Sequence, residues 1–121
     1  MARVSLRLGF ADEQALGPGK IRLLELIGET GSISAAGRAM KMSYRRAWML
    51  IDELNRMFRE PLVAARPGGA HGGGASLTEA GSDVVRCYRA IESNVETNSS
   101  AQISALEKMV VGPKRKPRSR T

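Results

Sequence analysis

The sequence predicts a mainly α, α+β domain in which two short helices meet at a tight turn and a glycine-rich hairpin follows them, ahead of a long closing helix. Three observations carry this. Residues 3 to 10 alternate between apolar and polar side chains. The stretch from Gly31 to Phe58 holds two helical patterns with almost no chain between them. The run from Gly68 to Gly74 is rich in glycine and lies between short apolar segments. At 121 residues the chain fits one domain on the usual scale of about 150 residues each. Apolar residues make up 42% of it and aromatics 4%, so a core is within reach, built mainly from Leu, Ile, Val, Ala and Met.

The leading alternation puts Val4, Leu6, Leu8 and Phe10 on one face and Arg3, Ser5, Arg7 and Gly9 on the other, as a half-buried strand requires. Gly17, Pro18 and Gly19 then break the chain. Ile21, Leu23, Leu24, Leu26 and Ile27 recur at spacings of three and four, which predicts an amphipathic helix ending between Gly28 and Gly31. Ser32 or Ser34 can cap the next helix, and Ser43 the one after it, each by accepting a first-turn N–H. In that third helix Tyr44, Ala47, Trp48, Ile51, Leu54 and Phe58 form one stripe, so Tyr44 and Trp48 are expected in the core. Arg45, Arg46, Met49, Asp52, Glu53 and Arg56 fall elsewhere, and Pro61 closes the helix.

Leu62, Val63 and Ala64 predict a short strand, and Leu77 belongs to a returning one. Thr78 caps a final helix in which Val84, Tyr88, Ile91 and Val95 step by four and three, the spacing of a two-helix seam. After ETNSSAQ, Ile103, Leu106 and Val110 resume in a shifted register. That fits either one stuttered helix over about 79–110 or two separate ones. Residues 1–111 are expected to form the domain, and 112–121, with nothing apolar to bury, a disordered basic tail.

Two helices cross near a right angle over a three- or four-residue turn only when small residues sit at the crossing and apolar ones flank it. Ala35, Ala36 and Gly37 supply the small contact, and Met40, Met42, Ala47 and Leu50 the flanks. That spacing fits a DNA-binding helix-turn-helix, which lays its first helix over the phosphate backbone and offers the start of the second to the major groove. Ser43, Arg45, Arg46 and Met49 are then the groove-facing set. Arg45 or Arg46 can donate two hydrogen bonds to guanine O6 and N7 or can hold a phosphate, and both roles stay open. Ser34, Lys41 and Arg66 are candidates for backbone phosphates. Glycines at a hairpin tip permit close approach to another surface, which adds Gly69, His71 and Gly72 as candidates on a wing.

The charge distribution agrees. Lys and Arg number nineteen against twelve Asp and Glu, but five of the cations lie at Lys114, Arg115, Lys116, Arg118 and Arg120. Residues 1–111 are therefore nearly balanced. Within them, Ala36 to Arg66 carries seven cations against three acids, a local basic surface whose natural partner is a polyanion. The tail is expected to add sequence-independent affinity.

Other chemistries find little support. One cysteine, Cys87, and one histidine, His71, make neither an internal disulfide nor a structural zinc site nor a convincing catalytic triad, so no metal, no cofactor and no enzyme activity are expected. Cys87 is expected to pack inside its helix and His71 to face solvent or phosphate. The glycine run lacks the Gly-Lys-Ser/Thr ending of a nucleotide-binding loop. The N-terminus has no apolar stretch of leader length and no apolar run approaches the roughly 18 residues of a bilayer span, so no membrane partner and a cytoplasmic location are expected.

GSISAAGRAMKMSYRRAWMLIDELN, with its Ser-Tyr-x-x-Ala-Trp core at Ser43, Tyr44, Ala47 and Trp48, then a glycine-rich wing and LTEAG, resembles the N-terminal domain of the ModE molybdate-responsive transcription regulators. The resemblance spans roughly residues 3 to 95. LysR-type regulators are more distantly similar, sharing the Gly-Ser-x-x-Ala-Ala start and the Leu-Thr-x-x-Gly ending at Leu77, Thr78 and Gly81. What the resemblance implies is a winged helix-turn-helix with an N-terminal strand, a β-hairpin wing and a long C-terminal dimerisation helix. It implies a homodimer, held by the first and last helices, on a palindromic operator in double-stranded DNA. Full-length ModE regulators also carry C-terminal molybdate-binding domains, and the chain ends about where these begin. It is similar to the shorter, DNA-binding-only members, and molybdate is not expected to bind it directly. Two rival readings share these residues: a sequence-tolerant architectural DNA-binding protein, and a winged-helix protein-interaction module.

Overall fold

The computed structural model describes residues 2–69 and 72–111. Its centre is helix α1 (Pro18–Thr30), which starts on a proline at its first turn and buries Ile21, Leu23, Leu24, Leu26 and Ile27, the residues that the sequence spaced by three and four. The chain then runs through α2 (Ile33–Ala39) and α3 (Tyr44–Met57), a hairpin of β3 (Val63–Gly69) and β4 (Gly72–Leu77), and α4 (Glu79–Asn98) with α5 (Ser100–Met109). The elements α2, α3, β4 and α4 all pack against α1. Ala36, Ala47, Ile51, Leu54, Leu62 and Tyr88 complete the core, and Tyr88 is its one aromatic among the described residues. The chain is a mainly α, α+β winged helix-turn-helix.

The N-terminus departs from expectation. In place of a strand over residues 3–10, only β1 (Leu8–Gly9) pairs, antiparallel, with β2 (Ala15–Leu16). Between them Asp12 and Glu13 both adopt left-handed backbone, φ 60° and 63°, and the Gln14 N–H reaches the Ala11 carbonyl at 3.3 Å. Two left-handed residues make the mirror-image turn that matches strand twist. Asp-Glu lacks the Asn-Gly signature of that turn, so the alternation up to Phe10 read as one long strand. Leu6 and Leu8 do pack on the core, whereas Phe10 is 46% exposed. Upstream of β1, the Tyr88 hydroxyl donates to the Leu6 carbonyl at 2.6 Å.

Helix α4 also differs from the expected seam. Tyr88 is buried and Val84 partly so, but Ile91 is exposed, and so is Cys87, which was expected to pack. The helical run breaks at Ser99 (φ −114°, ψ 15°), so 79–110 is two helices. The second docks on the N-terminal segment, whose Ala2 amide donates to the Glu107 carboxylate.

Two local devices hold α4 in place. Thr78 Oγ1 accepts the Gly81 N–H at 3.0 Å as the helix cap and donates to the Pro61 carbonyl at 2.7 Å, while the Thr78 N–H reaches the Leu62 carbonyl at 2.9 Å. This brings the first turn so close to Leu62 that a Cβ on Gly81 would lie 2.2 Å from the Leu62 oxygen. The Leu-Thr-x-x-Gly pattern is thus a cap plus a close approach. Farther along, the Arg89 guanidinium grips Glu25 of α1 through two bonds, Nε to Oε2 at 2.8 Å and Nη2 to Oε1 at 2.9 Å, and also donates to Glu92 at 2.7 Å. The bonds from Arg89 hold the Glu25 carboxyl below the usual range, against the opposing effect of burial.

Gly81→Ala is expected to destabilise the fold by about 1–3 kcal/mol, because the obstacle is backbone and cannot rotate away; urea denaturation midpoints check this. Folding lowers the pKa of Glu25, so the unfolded chain takes up its proton first on acidification. The stabilisation is complete above the ordinary glutamate value of about 4.3 and is lost as the pH falls from there through the lower folded value. Glu25→Gln should therefore be less stable than the parent at pH 6, with the gap narrowing by pH 3.5 in urea titrations at both pH values.

Candidate nucleic-acid interface

The helix-turn-helix is set by its connection. Ser32, not Ser34, caps α2, its Oγ accepting the Ala35 N–H at 3.0 Å. At the other end the Met42 N–H bonds the Gly37 carbonyl at 3.0 Å and the Lys41 N–H bonds the Arg38 carbonyl at 2.9 Å. This is the paired closure in which a left-handed residue ends a helix, and Lys41 (φ 59°) occupies the place that glycine usually takes. A Cβ on Gly37 would lie 3.2 Å from the Ala47 Cβ, so the two helices cross with almost no side chain between them. Ser43 then caps α3 by accepting the Arg46 N–H at 3.0 Å.

The crossing buries Ala47, Ile51 and Leu54 and leaves the opposite face of α3 open. Ser43, Arg45, Arg46 and Met49 come together there as the sequence placed them, with Lys41 in the preceding turn, all of them exposed. Charge changes along the helix. Asp52 pairs with Arg56 at 2.7 Å and Glu53 with Lys20 at 2.8 Å, which neutralises its second half. Lys41, Arg45 and Arg46 make no ion pair with any described residue. No acid occupies the first turn of α3, and cations there oppose the helix dipole by roughly 0.3–1 kcal/mol each. A bound phosphate reverses that penalty.

Tyr44 and Trp48 are corrections. They were expected in the core, but Tyr44 is 56% exposed and Trp48 36%, beside Met49 at 57%. They flank the buried stripe, and the short α2 covers only its centre.

The other candidates are dispersed. Ser34 is half-buried in α2, its hydroxyl accepting from Arg38 at 3.5 Å. Arg66 stands on β3 opposite Gly74, its guanidinium lying over that glycine. Gly69 and Gly72 pair at the far end of the hairpin, after a register irregularity that starts at Arg66. His71 and the tail at 112–121 lie outside the described residues. The sequence reading passed over Asn55. Its Oδ1 accepts the Leu62 and Val63 N–H groups at 2.8 and 3.1 Å and its Nδ2 donates to the Val63 carbonyl at 3.3 Å, tying the end of α3 to the start of the wing. A polar residue at the border of the apolar stripe was the available sign.

The family model for bacterial regulatory helix-turn-helix proteins of the lysR family matches residues 19–82, from α1 through the wing to the cap of α4. The chain belongs to this family. The chain is 46% identical over 80 residues to the molybdenum-pterin-binding protein MopB of Rhodobacter capsulatus, covering 66% of the chain and 30% of that relative. It is 44% identical over 92 residues to the molybdenum transport protein ModE of Azotobacter vinelandii, covering 76% and 33%. With the DNA-binding transcriptional dual regulator ModE of Escherichia coli K12 it shares 36% over 87 residues, covering 72% and 33%. The chain thus spans about a third of the length of the curated relatives it matches, and the resemblance to the ModE regulators holds.

Lys41→Gly should separate the two roles of the turn. Removing the left-handed Cβ is expected to stabilise the fold by about 0.5–1 kcal/mol, seen as a higher urea midpoint. Loss of the cation is expected to weaken binding equally on all duplexes and to lower the salt slope by about one.

Proposed function

We propose that the chain is a sequence-specific, double-stranded DNA-binding transcription regulator that acts as a homodimer on a palindromic operator. One observation carries the reading: three cations without acidic partners among the described residues stand at the exposed start of a capped helix, while every acid of that helix is paired a turn or more later. A duplex supplies the anions this arrangement lacks and the base edges that two arginines can read. The glycine hairpin, tied to α3 through Asn55, lies in sequence and connection where a wing would follow the groove. A relative named as a DNA-binding transcriptional regulator supports the same reading.

The dimer is part of the proposal on two grounds. One recognition helix reads few base pairs, and two half-sites a helical turn apart multiply selectivity. The monomer also leaves an apolar hollow between β1 and α4, lined by Leu8, Phe10, Phe58, Val84, Cys87 and Ile91, where a second copy can be covered. Among the described residues no helix is long and apolar enough to cross a membrane, and we place the protein with its DNA in the cytoplasm. The function needs no cofactor and no catalytic step, and it assigns this chain no oxyanion site.

Selection of bound sequences from a random duplex pool at near-physiological salt tests this, with an inverted repeat as the expected product. Binding without enrichment would replace the regulator by a sequence-tolerant architectural protein, and absence of binding would turn the search to protein partners. On the selected duplex, Arg45→Ala or Arg46→Ala is expected to cost about 1–3 kcal/mol and to change scrambled-duplex binding far less. Equal losses on both would make the pair phosphate contacts.

A further inference from the structure

We propose that Tyr44, Trp48 and Met49 form an apolar strip on α3 that reads the 5-methyl groups of thymine, a second component of base recognition beside the arginines. It rests on the DNA-binding reading above and extends it to residues that the sequence pattern assigned to the core. Tyr44 and Trp48 stand one helical turn apart with their rings edge to face, centroids 6.3 Å apart at 79°. Met49 follows Trp48 in sequence, about 100° farther round the helix on its outward side, and all three side chains are exposed. Large apolar side chains left in water in one patch mark a surface that something covers.

Two occupants compete, and charge decides between them. The strip begins at the Ser43 cap and interleaves with Arg45 and Arg46, with Lys41 beside it, none of them paired to a described acid. A second copy meeting this strip about a two-fold axis would set these cations against their own images. A duplex sets phosphates against them. Within the major groove the apolar group on offer is the thymine methyl, which apolar side chains contact and which no other base presents. The edge-to-face pair holds each ring against the other before binding, so little freedom is lost on contact.

The test uses the full chain and the inverted repeat recovered by selection, with thymines replaced one at a time by deoxyuridine. Each contacted methyl is expected to weaken parental binding about four-fold when removed. In Trp48→Ala or Met49→Ala the loss at one of these positions should shrink below about two-fold, while affinity for a scrambled duplex is unchanged. Trp48→Phe keeps an apolar ring and should retain most of the methyl dependence, which separates contact from misfolding. Trp48 is the only tryptophan, so its emission should shift on binding the thymine duplex and less with the uracil one. A parent that binds the fully uracil-substituted operator as tightly would overturn the strip while the selected operator keeps the regulator reading standing. Conversion of Trp48→Ala to monomers with methyl dependence intact would also overturn it, giving the strip to self-association. Failure to bind any duplex would overturn both.

Discussion

The interaction on which the outward face of α3 depends is the contact between Gly37 and Ala47. With no side chain on one helix and a methyl on the other, α2 and α3 cross closely enough to put Ala47, Ile51 and Leu54 in the core. The chain can make that crossing only by reversing sharply after α2, and Lys41 does so in a left-handed conformation that costs a non-glycine residue about 1–2 kcal/mol. Once the crossing is fixed, helical geometry determines which residues point outward. Ser43, Arg45, Arg46 and Met49 follow from the position of Ala47 and need no further device.

The cations of this protein divide into two populations. Arg89, Arg22, Lys20, Arg56 and Arg86 each meet a carboxylate, and the Arg89 grip on Glu25 joins α1 to α4. Lys41, Arg45 and Arg46, like Arg3, Arg7, Arg38, Arg59, Arg66 and Lys108, meet none among the described residues, and of these Lys41, Arg45 and Arg46 gather at one helix start. Exposed pairs contribute little to stability, so the difference between the populations matters more for what the surface attracts than for how firmly it folds. The turn and the first turn of α3 hold positive charge in places that backbone sterics and the helix dipole both disfavour. Such local costs at one surface are the expected mark of a site that is completed by a ligand.

Much of this was legible in the sequence because it depends on local chemistry. The spacing of Ile21, Leu24 and Ile27, the capping serines at 32 and 43, the small residues at 35–37 and the Thr78 cap all act within a few residues of themselves. Other features depend on neighbours that a pattern does not name. A helical wheel gives the angle of Tyr44 and Trp48 but not the reach of the seven-residue α2 that would have to cover them. Alternation from Val4 to Phe10 shows which side faces the core, but pairing needs a partner strand, and β2 offers two residues. Cys87 and Ile91 lie on a helix face that no described element of the chain covers, so periodicity counts them as buried while the structure leaves them exposed. Hydrophobic patterning shows Asn55 only as a polar residue at the border of the stripe and not what it does, because its value lies in three hydrogen bonds to the next element.

Hydrogen exchange of the full chain, with and without the selected duplex, tests most directly whether the outward start of α3 is the reading surface. The account predicts slowed exchange at residues 41–49 and along β3 and β4, with α4 changed little. Protection confined to α4 and α5, with residues 41–49 exchanging as in the free protein, would contradict it.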